Sequence, residues 1–187
     1  DNAPMPSLDN LTTVPDQDII SASPVIIAPK DQNSPVEPVS MPKAISTPMD
    51  GENPALLLYK VAYENIGNHL SLNKTVPASL GCAQAISWLF LEMGYGIRKD
   101  GISTVARLTT WMLGQGFVEE KKYGVGYVIT GRNYTTAHIG ICGKTHIISN
   151  TSFTDTKKGL VAGTLQANYK RAAWETVYPQ VRYFRPV

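Results

Sequence analysis

Hydrophobic residues between positions 53 and 116 recur at helical spacing in three stretches. The first helix is predicted to start with Asn53 as N-cap and Pro54 at the first helical position. One face of this helix carries Leu58, Ala62 and Ile66. The second predicted helix runs over about 83–93, and the third opens with Ser103 as N-cap.

The pattern changes after Gly116, where short stretches rich in β-branched residues are bounded by turn residues. These stretches predict four strands, at 126–131, 137–143, 145–152 and 176–186. A glycine and a lysine at 143–144 suit a tight hairpin between the second and third strands. Pro179 cannot donate a backbone hydrogen bond, so we expect the first half of the last strand to lie at an edge. Helices followed by an antiparallel sheet predict an α+β fold.

Residues 1–50 have a different composition, with nine of the 13 prolines and no aromatic residue. Proline fixes φ and removes a backbone donor, and a segment without aromatic residues has little to bury. We therefore predict an extended tether over 1–52 and a folded domain over 53–187. In an alternative interpretation, the segment 23–29 docks on a partner as a short edge strand.

Charge divides the chain in the same way, because residues 1–50 carry seven acidic side chains and two lysines, a net charge of −5. The remainder must carry +7 to give the total of +2. A basic domain suits an anionic surface such as a cell wall. Lysine and arginine form no clustered run, so we expect no nucleic-acid partner.

Cys82 is predicted to lie at the start of the second helix, where free N–H groups and the helix dipole favour a thiolate. A nucleophilic thiolate also needs a base, and the chain offers His69, His138 and His146. Alternatively, Cys82 is a small buried hydrophobic residue or forms a disulfide with Cys142.

Strand alternation selects among the histidines. His138 and Gly140 share one face of their strand, and a glycine beside a catalytic histidine would leave room for substrate. On the next strand, Asn150 shares a face with His146 and offers an oxygen to an imidazole N–H. We predict a site of Cys82, His138 and Asn150, with His146 as the alternative to Asn150. The hairpin register, which decides whether Asn150 faces His138, stays open.

A zinc site is the other chemistry considered for this hairpin. His138, His146 and Cys142 have no fourth ligand nearby at suitable spacing. No metal and no cofactor are therefore predicted.

The segments LGCAQAISWLFLEMG and AHIGICGKTHIISNTS resemble the NlpC/P60 and CHAP group of cysteine peptidases and amidases, which are similar to reduced papains. The resemblance covers about 53–155 and is strongest to phage-type lysins and wall hydrolases. It implies a cysteine that opens a helix packed on an antiparallel sheet, a histidine on a strand and a polar residue on the next strand. These roles fall on Cys82, His138 and Asn150.

The resemblance also implies a function, hydrolysis of an amide bond in bacterial peptidoglycan by a stem-peptide endopeptidase or a muramoyl-L-alanine amidase. We expect such a protein outside the cytoplasm, in the periplasm or cell wall, or on a phage virion. Residues 1–50 would then contact a virion or a membrane-anchored partner. The alternatives are a thiol acyltransferase or thioesterase, and a structural or binding module of a virion or secretion machine.

Overall fold

The computed structural model describes residues 51–187, so the predicted tether lies outside the described residues except for its last two positions. The helices are α1 (Pro54–Glu64), α2 (Cys82–Glu92), α3 (Val105–Gly114) and α4 (Arg171–Val177). The strands are β1 (Val118–Glu120), β2 (Val128–Arg132), β3 (Ala137–Cys142), β4 (His146–Asn150), β5 (Leu165–Lys170) and β6 (Gln180–Arg185). Two short 3-10 helices, Ala78–Leu80 and Thr156–Lys158, lie in the connections.

Two helices, α1 and α3, begin at residues whose side chains cap them. The Asn53 side chain accepts a hydrogen bond from the Ala55 N–H, and Pro54 occupies the first turn, which confirms the predicted start of α1. The cap of α3 is Thr104 rather than the predicted Ser103, because the Thr104 hydroxyl accepts from the Arg107 N–H.

The six strands form one antiparallel sheet in the order β1-β6-β2-β3-β4-β5, with helices packed on it, which confirms the α+β class. The strand predicted over 176–186 is wrong in its first part, because α4 continues to Val177 before β6 begins. β6 pairs with β2 from its first residue but with β1 only over 183–185, so among the described strands its first half has a neighbour on one side, as expected of an edge. Pro179 precedes β6, where its missing N–H interrupts no pairing.

Successive side chains of β3 point to opposite faces of the sheet and belong to two different hydrophobic clusters. Ile139 and Ile141 are buried in a large cluster with α1, α2 and α3. Cys142 belongs to a smaller cluster built around Trp174 of α4. The side chains of β3 therefore point alternately toward the three N-terminal helices and toward α4.

No helix in the part of the chain from residue 51 onward is long and apolar enough to cross a membrane.

Candidate active site

Cys82 is the first residue of α2 and follows Gly81, which provides no side-chain cap. The thiol is free and half-buried against the large cluster. The backbone N–H groups of Ala83, Ile139 and Cys82 itself are directed at the sulfur. Because Ile139 follows His138 in β3, this contact places the thiol beside the backbone of the predicted base.

Burial decides the protonation state of this thiol. It raises the pKa of Cys82 from 9.0 to about 11, and the three N–H groups oppose this change without cancelling it. The expected thiolate is therefore not the resting form at neutral pH. Removal of the sulfur from water outweighs the stabilisation that the helix start provides.

His138 is buried on the other face of β3, the face that carries α4. Its ring stacks on Trp174 with a centroid distance of 5.2 Å and lies 5.9 Å from the Tyr178 ring. Burial lowers the pKa of His138 from 6.5 to about 4, since the charged form would lose its hydration. At neutral pH the imidazole is uncharged, and its lowered pKa makes it a weaker base than a histidine in water.

A chain of hydrogen bonds holds the His138 ring. The Nε2 atom lies 3.1 Å from Ser149 Oγ, and the Ser149 hydroxyl donates to Asn168 Oδ1 at 2.8 Å. Since the one hydroxyl proton goes to Asn168, Ser149 accepts from the Nε2–H of the ring. This tautomer leaves the lone pair on Nδ1, which makes no hydrogen bond with any described residue.

Asn168 reaches Ser149 because β5 carries an irregularity at this point. Ile147 pairs with Tyr169 and Ile148 pairs with Ala167, so Asn168 is the extra residue of a β-bulge. A bulge changes the direction in which a side chain points, and here the Asn168 side chain contacts Ser149.

Asn150 does not occupy the predicted position beside His138. The register pairs Gly140 with Ser149, so Ser149 shares the His138 face and Asn150 points to the opposite one. There the Asn150 amide donates to the Ala78 carbonyl oxygen at 2.9 Å. Asn150 thus anchors the end of β4 to the segment that leads into Cys82. Ser149 occupies the position beside His138 that was expected for Asn150.

His146, the alternative to Asn150, lies at the opposite end of β4, beside the hairpin turn. It is four positions from Asn150, a distance of about 13 Å along a strand. Its Nδ1 atom lies 3.0 Å from Thr145 Oγ1. The structure therefore does not bring His146 to the Cys82 end of the sheet.

Gly140 serves packing rather than substrate access. A Cβ atom at this position would lie 2.8 Å from Ile147 Cγ2 and 3.0 Å from Ser149 Cβ. Gly131, paired with His138, has the same role, because a Cβ atom there would lie 2.7 Å from Trp174 Nε1. Both glycines let side chains on the α4 face pack close to the sheet.

Cys82 packs against the cluster of α1, α2 and α3, whereas His138 packs on Trp174 on the other face of β3. The two side chains form no hydrogen bond with each other, and no described residue bridges them through one. They share Tyr178 as a neighbour, since its ring packs near His138 and its pKa is raised by burial, by Tyr169 and by the charge of a Cys82 thiolate. The candidate site thus consists of a thiol at the start of α2 and an imidazole near the start of β3, with Tyr178 as their shared neighbour.

Cys142 takes no part in this arrangement. It is a free, buried thiol in the α4 cluster, so the alternative disulfide with Cys82 is wrong. Among residues 51–187, no group of three or more His, Cys, Asp and Glu side chains is placed to hold a metal ion.

Sequence reasoning missed Ser149 and Asn168. Ser149 could have been found from the hairpin, because a two-residue turn pairs even-numbered positions of β3 with odd-numbered positions of β4. Asn168 depends on a bulge that has no local sequence signal.

Comparisons with family models, with curated proteins and with solved structures found no match for this chain.

Proposed function

We propose that this chain is a cysteine hydrolase of amide bonds, with Cys82 as nucleophile and His138 as base. The observation that carries this proposal is the chain His138–Ser149–Asn168, which leaves Nδ1 able to accept a proton. The proposed base, His138, directly precedes Ile139, and the backbone N–H of Ile139 is directed at the Cys82 sulfur. A nucleophile, a base and a group that orients the base are the elements that acyl transfer requires.

The reaction starts from a neutral pair, because the pKa of Cys82 is about 11 and that of His138 is about 4. The thiol proton moves to His138 Nδ1 as the sulfur attacks the amide carbonyl carbon. This step requires that substrate binding brings the two side chains together from their positions on opposite faces of β3. The N–H groups at the start of α2 stabilise the negative oxygen that forms.

Collapse of this intermediate breaks the C–N bond, and the imidazolium gives its proton to the leaving amine. His138 then takes a proton from water, which attacks the thioester carbon. Cleavage of the C–S bond returns the proton to the sulfur and releases the carboxylic acid. The sequence needs no metal and no further cofactor.

Peptidoglycan is the proposed substrate, and the NlpC/P60-type papain-like fold is the proposed fold family. The support is the resemblance of the Cys82 and His138 segments and the charge of +7 on residues 51–187. A basic protein is attracted to an anionic wall. The bond cleaved is then a stem-peptide bond or the muramoyl-L-alanine amide, and the place of action is the periplasm, the cell wall or a virion.

The test is digestion of purified sacculi, with mass spectrometry of the soluble products. We expect muropeptides with new free amines from the wild type and from Cys142→Ser, and none from Cys82→Ala. Equal products from the wild type and Cys82→Ala would refute the proposal. Loss of activity in Cys142→Ser with retained stability would move the nucleophile to the other thiol.

A structural or binding module of a virion or secretion machine is the second candidate. It is favoured by the absence of a hydrogen bond between Cys82 and His138 within residues 51–187, and by the stacking of His138 on Trp174. This role predicts that the wild type and Cys82→Ala bind sacculi equally and that neither releases a product.

A further inference from the structure

A cavity of about 360 Å³ lies beside α2, on a side of the helix that the Cys82 thiol does not face. Gln84 lines it and follows Cys82 by two residues, so the two side chains point in nearly opposite directions around the helix. The other polar lining residues are Asn73, Arg98, Asp100, Ser103 and Arg107. The volume lies within the range of about 300–1,000 Å³ that is common for small-molecule sites.

The Gln84 amide is the unusual feature of this cavity. The residue is 1% exposed, and neither its Oε1 nor its Nε2 atom has a hydrogen-bond partner among the described residues. Burial of an unpaired polar group costs about 1–3 kcal/mol, so such groups are rare in folded proteins. A ligand group that both donates and accepts, such as a peptide amide, fits this side chain.

The absence of a side chain at Gly101 keeps the space beside the Gln84 amide open. A Cβ atom at this position would lie 3.0 Å from Gln84 Oε1 and 3.2 Å from Nε2. Its φ of +67° is also a conformation that glycine adopts readily. A side chain here would press on the Gln84 amide, whose oxygen and nitrogen have no partner among the described residues.

The charges of the cavity favour an anion. Arg98 is already paired with Asp100, through Nε at 2.9 Å and Nη2 at 2.6 Å. Arg107 lies exposed in the first turns of α3 and forms no ion pair or side-chain hydrogen bond with residues 51–187. Free N–H groups at a helix start add to the attraction for negative charge.

We propose that this cavity binds the C-terminal end of a short peptide, with the terminal carboxylate on Arg107 and the last peptide amide on Gln84. An arginine can hold a carboxylate through two parallel hydrogen bonds. The side-chain amide of Gln84 can donate to the peptide carbonyl and accept from the peptide N–H. This site stands apart from the proposed hydrolysis, since binding needs neither the thiol nor His138.

Calorimetric titration of the full chain tests the proposal, with acetyl-alanyl-alanine as the probe and its carboxamide as the neutral analogue. Cys82→Ala is used so that the probe is not consumed. We expect the acid to bind at least about tenfold more tightly than the carboxamide, the effect of one charge-assisted contact. Arg107→Gln should remove this preference, and Gln84→Met should weaken binding of both peptides.

Arg132→Gln is the matched control, because Arg132 is also exposed and lacks an ion pair with any described residue. It should bind as the parent does, and thermal denaturation should show that all variants are folded. Equal binding of acid and carboxamide, or no binding of either, would overturn the proposal. Acetate or inorganic phosphate bound as tightly as the peptide would overturn it too, because the site would then recognise only an anion. Peptide binding without sacculus digestion would separate this proposal from the proposed function.

Discussion

The burial of His138 makes the stability of this protein depend on pH in a calculable way. In the unfolded chain a histidine takes up a proton near pH 6.5, whereas in the fold the pKa of His138 is about 4. Between these values the unfolded state binds more protons than the folded state, so stability falls as pH falls. The contribution is fully present above pH 6.5 and is lost as pH falls from 6.5 toward 4.

The magnitude follows from the difference of about 2.5 between the two pKa values. At about 1.4 kcal/mol per pKa unit, the folded state loses roughly 3 kcal/mol relative to the unfolded state. His138 is only 8% exposed, so water screens little of this effect. The loss is a large fraction of the roughly 5–15 kcal/mol that stabilises a typical domain.

Urea unfolding at several pH values between 4 and 7.5, followed by tryptophan fluorescence, measures this loss. His138→Gln should be less stable than the wild type at pH 7.5, and the difference should shrink by roughly 3 kcal/mol toward pH 4. Ser149→Ala is the matched control, since it keeps the buried imidazole and should keep the dependence on pH. Parallel curves for the wild type and His138→Gln would refute the assignment of a buried, neutral histidine.

Two further predictions concern the support of the site and the tether. Ser149→Ala should lower kcat by up to about tenfold and leave KM nearly unchanged, because it removes one neutral hydrogen bond to the base. Kinetics on a defined muropeptide would test this, with Ser149→Thr, which keeps the hydroxyl, as the rescue variant; unchanged kcat in Ser149→Ala would contradict the role. Removal of residues 1–50 should leave the thermal midpoint and the turnover of soluble wall fragments unchanged, and unfolding on truncation would show that this segment contributes to the domain.

Much of the fold was predictable where the signal is local. The cap of α1 at Asn53 and the start of α2 at Cys82 depend on a few neighbouring residues. The strands β3 and β4 also follow from short β-branched stretches with a turn between them. These elements carry the thiol and the imidazole, so the sequence could place both candidate residues on their elements, while their catalytic roles stay a prediction.

The rest of the fold depends on contacts between distant segments. The seven-residue helix α4 buries one side chain, Trp174, which packs on the His138 ring on the same face of the sheet. The strand β5 alternates weakly between buried and exposed positions and is formed by its pairing with β4. Neither element has a hydrophobic period strong enough to be identified alone.

The prediction that Asn150 lies beside His138 failed for a different reason, because the length of the hairpin turn in the sequence already determines which face of β4 Asn150 occupies. The Gly143 N–H donates to the His146 carbonyl oxygen, so the turn consists of Lys144 and Thr145 rather than 143–144. Either two-residue turn pairs even-numbered positions of β3 with odd-numbered positions of β4, and paired residues share a face. His138 must then share its face with Ser149. Asn150 could have faced His138 only with a loop of odd length, which would have sent the other side chains of β4 to the wrong clusters as well.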